Sequence, residues 1–341
     1  MKKVRIGVLG AYRGTSMINY CKRADHAEVV AICDKSPEAL DAQREAAAGL
    51  DITFYDHFDK FIEHDMDAVV LANYANEHAP FAIKAMRAGK HVLSECVAMG
   101  TIAEGVALCR AVEESGKIYM IAENYPFTKA RMEMRRLYQS GELGEILYGE
   151  GEYCHPMYEP TSIAPGEYHW RNQIPSTYYC THAVAPIMYI TDTVPTKVNG
   201  FVPKIKDQSY REYEFRQQDS GGVIVCQMDN GAVVRTLQGA FRTQSGIARL
   251  YGTKGAAEVE RQAGNIVVYH SEVNGKELEP YRSYEADTGM FAPGTAEKLA
   301  EKYGANPQKA YTAGLLHDIV KEDTIEQMLL LCEKLDIDAE M

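Results

Sequence analysis

The segment "HWRNQIPSTYYCTHAVAP", residues 169 to 186, holds side chains that can move protons and bind polar ligands. A histidine such as His182 titrates near neutrality and therefore suits a general base. A tyrosine such as Tyr179 acts as a base where a neighbouring positive charge makes it more acidic, and Arg171 can supply that charge or bind two oxygens in a fork. Taken singly, each of these residues favours a packing role, because the chain has 22 tyrosines and an isolated histidine is usually structural.

A second candidate site follows the first expected strand, in the segment "GVLGAYRGTS". We expect Gly10 to end the strand, Gly14 to let the backbone approach a pyrophosphate, and Thr15 or Ser16 to cap a helix whose amides receive the anion. Tyr12 stands near the place of the second glycine of G-x-G-x-x-G, so the motif is incomplete. Ordinary turn chemistry explains the same glycines.

Asp34 indicates which dinucleotide this site would bind. It ends the second expected strand about 20 residues further on, where a carboxylate accepts a ribose 2′-hydroxyl and repels a 2′-phosphate. NAD is therefore expected rather than NADP. The alternative role for Asp34 is to cap the helix that begins at Pro37.

The elements that would position these residues form two series. Residues 3–9, 28–34, 52–55, 68–73, 91–95 and 118–124 are predicted strands that alternate with helices over 37–48, 77–88, 101–115 and 127–139. This pattern predicts an α/β domain with a Rossmann-type parallel sheet. From about residue 145 the alternation changes to period two, over 146–153, 197–203, 222–228, 232–237, 248–252 and 266–270, which predicts an α+β domain with a mostly antiparallel sheet. We expect domains at 1–125 and 126–288 and a helical tail at 289–341.

Composition excludes several classes of partner. The chain of 341 residues has 36 basic and 48 acidic residues and a net charge of −12, which disfavours nucleic acid and anionic membrane surfaces. No segment approaches a membrane span or a secretory signal, so a cytoplasmic protein is expected. The 8 cysteines form no CxxC pair and are expected to be reduced, and no metal is expected. An open antiparallel sheet in the second domain favours a homo-oligomer.

The first 155 residues or so resemble the Gfo/Idh/MocA oxidoreductases. The resemblance lies in "VVAICDKSPEA", "DMDAVVLANYANEHAPFAIKAMRAGKHVLSE", "SGKIYMIAEN" and "SGELGEILYGEGEY", in this order and spacing. Members of that family typically carry Glu-Lys-Pro after the fifth strand, with the lysine near the nicotinamide. This chain instead has Glu95, Cys96 and Val97. A nucleophilic Cys96 is a less favoured interpretation than a small apolar filler.

Residues 169–186 are similar to the Tyr-x-Thr-His segment of the NAD-dependent α-N-acetylgalactosaminidases, a glycosidase branch that also lacks the lysine. The resemblance implies NAD contacts at Arg13, Gly14, Asp34, His78, Glu95, Cys96 and Asn124, and we expect Gly10, Tyr12 and Asn73 to belong to the same cofactor site. It also implies sugar contacts at His182, Tyr179, Tyr153 and Arg171, of which we expect the first three to be catalytic and Arg171 to bind substrate. Trp170, which flanks Arg171 and could equally be a core residue, and His155, which follows Tyr153 on its strand, are further substrate-binding candidates.

Enzymes of this branch are thought to oxidise the sugar 3-hydroxyl with bound NAD, which acidifies the hydrogen at C2 and allows the C1 substituent to be eliminated. Water addition and return of the hydride follow. The resemblance therefore implies an enzyme that acts on a sugar or glycoside with no net redox change. Two alternatives remain open: a net sugar or cyclitol dehydrogenase, and a non-catalytic NAD or sugar sensor.

The C-terminal segment, residues 291–337, looks like the centre of an HD-domain phosphohydrolase, with His317 and Asp318 as its metal-binding pair. Thr288 or Met290 stands where another ligand histidine is required, so the ligand set is incomplete. An amphipathic helical tail explains the same apolar spacing without metal chemistry.

Overall fold

The computed structural model describes residues 3–155, 169–204, 206, 221–239, 241, 245–259, 266–270 and 279–284. The expected tail at 289–341, with His317 and Asp318, lies outside these residues. The described part divides into two compact units at the junction of Ala122 and Glu123. No helix in this part is both long and apolar enough to cross a membrane.

The first unit is a parallel sheet with helices, as predicted. Its strands are β1 (Val4–Leu9), β2 (Ala27–Cys33), β3 (Thr53–Tyr55), β4 (Ala68–Leu71), β5 (His91–Ser94) and β6 (Tyr119–Ile121), in the order β3-β2-β1-β4-β5-β6. The helices are α1 (Thr15–Cys21), α2 (Pro37–Ala46), α3 (Phe58–Phe61), α4 (His78–Arg87) and α5 (Ile102–Ser115). The strand order reverses between β1 and β4, which is where a doubly wound domain binds a dinucleotide.

Local sequence explains where the helices begin and end. Ser36 accepts a hydrogen bond from the Ala39 amide at the start of α2, and Thr101 and Glu104 form a capping box at α5. Gly116 ends α5 in the left-handed conformation. The expected cap of α1 was wrong, because Gly14 is the N-cap residue and no side chain caps the helix.

The second unit is a mostly antiparallel sheet, also as predicted. It contains α6 (Lys129–Gln139), β7 (Ile146–Cys154), α7 (Trp170–Gln173), α8 (Thr181–Thr191), β8 (Pro195–Phe201), β9 (Gly221–Met228), β10 (Val233–Gly239), β11 (Ala248–Gly252), β12 (Gly255–Val259), β13 (Ile266–His270) and β14 (Glu279–Tyr284). The strand order is β14-β13-β12-β11-β7-β10-β9-β8, and only β7 and β10 are parallel neighbours among these strands.

Strand β7 brings one face of this sheet against α8. A Cβ atom at Gly151 would lie 1.8 Å from the carbonyl oxygen of Ala183, and one at Gly149 would lie 3.3 Å from Ile187. Because side chains alternate along a strand, Tyr153 points to the same side as these two glycines. The missing side chains therefore let α8 lie close to β7, which places the start of α8 beside Tyr153.

Candidate functional site

His182 and Glu123 form a buried pair in the second unit. The Nδ1 atom of His182 lies 2.5 Å from Oε1 of Glu123, and the two residues are 7% and 1% exposed. With Nδ1–H donating to the carboxylate, Nε2 is the ring nitrogen that can exchange a proton with a ligand. The pair thus has the arrangement of a histidine base oriented by a carboxylate.

Opposing effects act on the Glu123 carboxyl. Burial raises its pKa, but the hydrogen bond and charge of His182 and the backbone amide of Tyr125 outweigh burial and hold the pKa of Glu123 below its usual value. The carboxylate is therefore ionised at neutral pH and can stabilise an imidazolium at His182.

Three tyrosine rings surround His182. Tyr125 stacks on the imidazole with ring centroids 4.5 Å apart, while Tyr153 and Tyr179 meet it edge-on at 4.6 and 4.9 Å. The structure therefore brings together the three residues that the sequence predicted as catalytic. The fixed rings leave the imidazole little freedom to rotate, which favours a single position for Nε2.

Arg171 lies at the edge of this cluster. Its guanidinium carbon is 4.5 Å from the centre of the Trp170 ring and 4.7 Å from that of Tyr179, and one of its nitrogens is 3.4 Å from the Tyr179 hydroxyl. Burial and the charge of Arg171 lower the pKa of His169 to about 4, so this histidine is neutral. The arginine thus places a positive charge beside the ring and hydroxyl of Tyr179.

His155 and Trp170 occupy second positions around the cluster. His155 follows β7, with its ring centroid 6.3 Å from that of Tyr153. Trp170 is buried at the start of α7, where its ring supports Arg171.

The predicted cofactor residues of the first unit lie at the carboxyl ends of its strands. Asp34 follows β2, and its two carboxylate oxygens accept hydrogen bonds from the amides of Ala11 and Ser36 at 2.7 and 2.9 Å. Each oxygen has a second lone pair, so the carboxylate can still accept from a ribose hydroxyl. Asp34 therefore holds the first loop, and it follows β2 at the position where doubly wound domains carry the carboxylate that accepts a ribose hydroxyl.

The loop after β1 needs its two expected glycines. A Cβ atom at Gly10 would lie 2.3 Å from the Ala72 carbonyl oxygen, and one at Gly14 would lie 2.5 Å from Val8. Gly10 also has a φ of 102°, which side chains disfavour. Tyr12, between them, is 76% exposed. The crowding at both glycines keeps the loop against β1 and β4, and these residues fit a bound dinucleotide.

Sequence reasoning missed Gln43, which forms hydrogen bonds to this loop. Its side-chain amide on α2 donates to the Ala11 carbonyl and to the Thr15 hydroxyl, both at 3.0 Å. Gln43 is buried together with Leu40 on one face of α2. In the sequence, its position on this apolar face is the only sign that its side chain points inward.

Asn73 and His78 lie at the end of β4. The two ring nitrogens of His78 face the carbonyl oxygens of Val97 and Asn73 at 2.8 and 3.2 Å, and the residue is 1% exposed. Burial lowers the pKa of His78 despite these bonds. His78 thus joins the loops after β4 and β5 and offers no free ring nitrogen. The Asn73 amide donates to Glu77 at 3.2 Å.

The last three cofactor candidates lie in different units of the chain. Glu95 and the buried Cys96 follow β5, and Glu95 forms an ion pair with Arg13 at 2.6 Å. Asn124 belongs to the second unit and precedes the turn that carries Tyr125.

Glu123 and Tyr125 are the other residues that sequence reasoning missed. They flank Asn124 in "AENYPF", a segment that the sequence analysis treated as part of a strand ending at 124. The structure ends β6 at Ile121, so the next residues leave the sheet and reach His182. Arg131 on α6 lies over the ring of Tyr125, with its guanidinium carbon 4.9 Å from the ring centre.

Two family models match successive parts of the chain. Residues 4–123 match the oxidoreductase family with an NAD-binding Rossmann fold, and residues 132–258 match the GFO/IDH/MocA C-terminal domain. A third model, the HD domain, matches residues 294–336.

Named relatives belong to one group of glycosidases. The chain is 31% identical over 202 residues to glycosyl hydrolase family 109 protein 2 of Shewanella sp. (strain ANA-3), and 28% identical over 203 residues to a glycosyl hydrolase family 109 protein of Saccharopolyspora erythraea. Each match covers 55% of this chain and 44% of the relative. The chain therefore spans less than half the length of these relatives.

Solved structures share the fold at low identity. An oxidoreductase domain protein from Kribbella flavida has a TM-score of 0.71 and 18% identity, with 97% of this chain and 98% of the other covered. An inositol dehydrogenase homologue from Azotobacter vinelandii, complexed with NADH and myo-inositol, has a TM-score of 0.68 and 12% identity, with 99% and 95% covered. The two family models, matched in order over residues 4–123 and 132–258, identify the chain as a member of the Gfo/Idh/MocA oxidoreductase family, with an NAD-binding Rossmann domain in its N-terminal part.

Proposed function

We propose that this protein is an NAD-dependent, redox-neutral glycosidase. The observation that carries the proposal is the buried His182–Glu123 pair enclosed by Tyr125, Tyr153 and Tyr179. The names of the glycosyl hydrolase family 109 relatives support a glycoside as substrate, as does cysteine at position 96.

The residues divide the proton transfers between them. His182 takes the proton of the sugar 3-hydroxyl at Nε2 while Glu123 stabilises the resulting imidazolium. When bound, NAD would provide the nicotinamide ring that accepts the hydride. Tyr179, beside the charge of Arg171, removes the proton at C2 of the ketone, and Tyr153 is the second candidate for this step.

Substrate binding falls to the group around Arg171. The guanidinium is half-buried over Trp170 and Tyr179, and its fork can hold two sugar oxygens. His155, next to Tyr153, is positioned to contact the sugar.

We also propose that the protein forms a homo-oligomer through the sheet of the second unit.

A labelling experiment tests the reaction. Hydrolysis of nitrophenyl glycosides in heavy water should place deuterium at C2 of the released sugar, because elimination removes the hydrogen at that carbon. NADH absorbance should not accumulate, since the hydride returns to the same sugar. Direct displacement by paired carboxylates would leave C2 unlabelled.

Two variants separate the steps. His182→Ala should abolish both glycoside cleavage and C2 exchange, whereas Tyr179→Phe should retain some hydride transfer because the tyrosine serves the later proton step. Stoichiometric NADH without C2 exchange would contradict the proposal and identify a net sugar dehydrogenase, the alternative that the family description favours.

A further inference from the structure

The Arg13–Glu95 ion pair joins two loops across the edge of the Rossmann sheet. Arg13 lies in the loop after β1, Glu95 follows β5, and β4 lies between these two strands. A guanidinium nitrogen of Arg13 is 2.6 Å from the Glu95 carboxylate. The pair therefore crosses the edge at which a doubly wound domain binds its dinucleotide.

Glu95 belongs to the half of the domain that holds the nicotinamide. In this architecture the adenosine half of the cofactor lies over the first three strands, where Asp34 is found, and the other half lies over β4 to β6. The Glu95 side chain is 12% exposed, so water screens its charge weakly. Among the ion pairs of the described residues, Glu95 takes part in the one with Arg13 and no other.

The two oxidation states of the cofactor differ in the charge of this ring. The nicotinamide is cationic in NAD⁺ and neutral in NADH, while the pyrophosphate charge is the same in both. An unpaired carboxylate near the ring would favour NAD⁺, and an unpaired guanidinium would favour NADH. A paired carboxylate and guanidinium largely cancel each other's effect on the ring.

We propose that Arg13 determines the relative affinity of this protein for NAD⁺ and NADH by neutralising Glu95. The residue that follows Glu95 is Cys96, which brings no positive charge, so the cation comes from the loop after β1 instead. The inference rests on NAD binding and not on the glycosidase reaction. A reaction that takes a hydride and returns it to the same sugar gains from such balance, because neither form of the cofactor is preferentially released.

The ratio of two dissociation constants tests the proposal without any turnover. We would measure the Kd of NAD⁺ by calorimetry and that of NADH by fluorescence for the full chain and for Arg13→Met, Glu95→Gln and the double variant. Contacts of Arg13 with the pyrophosphate cancel in the ratio because both forms carry the same phosphates. Arg13→Met should shift the ratio towards NAD⁺ by about tenfold, and Glu95→Gln should shift it towards NADH.

The double variant and two controls complete the design. Arg13→Met/Glu95→Gln should restore the ratio of the unaltered protein, since both charges are gone. Arg13→Lys should keep the ratio even if both affinities fall, and Arg44→Met, which removes an arginine paired with Asp41 on α2, should change neither affinity. Equal weakening of NAD⁺ and NADH by Arg13→Met would overturn the proposal and assign Arg13 to the pyrophosphate alone.

Discussion

At the residue scale, the contact that matters most for the proposed reaction is the one between Glu123 and His182, the proposed base. The sequence predicted His182, Tyr179 and Tyr153 through a segment resemblance, and the structure brings these three side chains within contact of one another. Glu123 could not be predicted, because it is 59 residues away in sequence and nothing in "AENYPF" indicates a long-range partner. Pairing between distant segments is a property of the packed chain.

Replacing Glu123 with glutamine should lower kcat on the order of a hundredfold with a smaller change in KM, because the amide lacks the charge that stabilises the imidazolium. Steady-state kinetics on a nitrophenyl glycoside would measure the effect. Glu133→Gln is a matched control, since Glu133 pairs with Arg136 on α6. If both variants kept full kcat, the carboxylate of Glu123 would have no part in the reaction.

The same variant should change how stability depends on pH. The folded pKa of Glu123 lies below its unfolded value, chiefly through His182 and against the effect of burial. The ionised carboxylate therefore contributes stability above the unfolded pKa of about 4.3, and this contribution is lost as pH falls through the folded pKa. Urea unfolding at several pH values should show the difference between the unaltered protein and Glu123→Gln shrinking in acid.

Asp34 carries the prediction for the choice of cofactor. Asp34→Ala should weaken NAD binding about tenfold to a hundredfold, because a hydrogen bond to a charged group is worth about 1.5 to 3 kcal/mol. The variant also loses the bonds to the amides of Ala11 and Ser36, and it should bind NADP better relative to NAD. Calorimetry with both cofactors would measure this. Unchanged NAD affinity would remove Asp34 from the site.

At the element scale, the contact of β7 with α8 holds the second site together. Gly151→Ala should destabilise the protein by about 1 to 3 kcal/mol, because the new methyl group would meet the Ala183 carbonyl and force α8 outward. Activity should fall as well, since Ala183 follows His182. Chemical denaturation and kinetics would measure both effects.

A second glycine provides the control for this prediction. Gly200→Ala adds a methyl group on β8, where the nearest atom would lie at an ordinary 3.5 Å, and should change stability little. Equal stability of the two variants would show that α8 tolerates displacement from β7.

Periodicity predicted the elements unevenly. The six strands of the parallel sheet follow from buried β-branched runs, and all six are present with ends shifted by a few residues. Strands β12 and β14 were not predicted, because "GAAEV" and "EPYRSY" are poor in β-branched residues and gain their form by pairing with β13. Neighbouring strands thus override weak local preference.

At the scale of the whole molecule, sequence reasoning identified the fold of both units and the cofactor class, since these depend on patterns that persist over many residues. The charge balance and the Rossmann pattern can be recognised without knowing which distant residues are in contact. By contrast, the Arg13–Glu95 pair and the contacts of Gln43 on α2 depend on how segments distant in sequence meet, which no local pattern encodes.

The second-unit sheet carries the prediction for assembly. Strand register places Phe201, Val233, Tyr251 and Tyr269 on the face of the sheet opposite α8, and all four are exposed in the described part of the chain. These exposed apolar side chains lie on a face that also carries the ion pairs of Glu150 with Arg235 and Arg249, and such a mixed surface favours association with a second copy. We expect a mass of at least two chains by light scattering.

Tyr251→Glu should reduce this mass, because a carboxylate would be buried between the copies. Ile102→Glu, at an exposed position of α5, should leave the mass unchanged. A single-chain mass at all concentrations would show that this face has no partner copy.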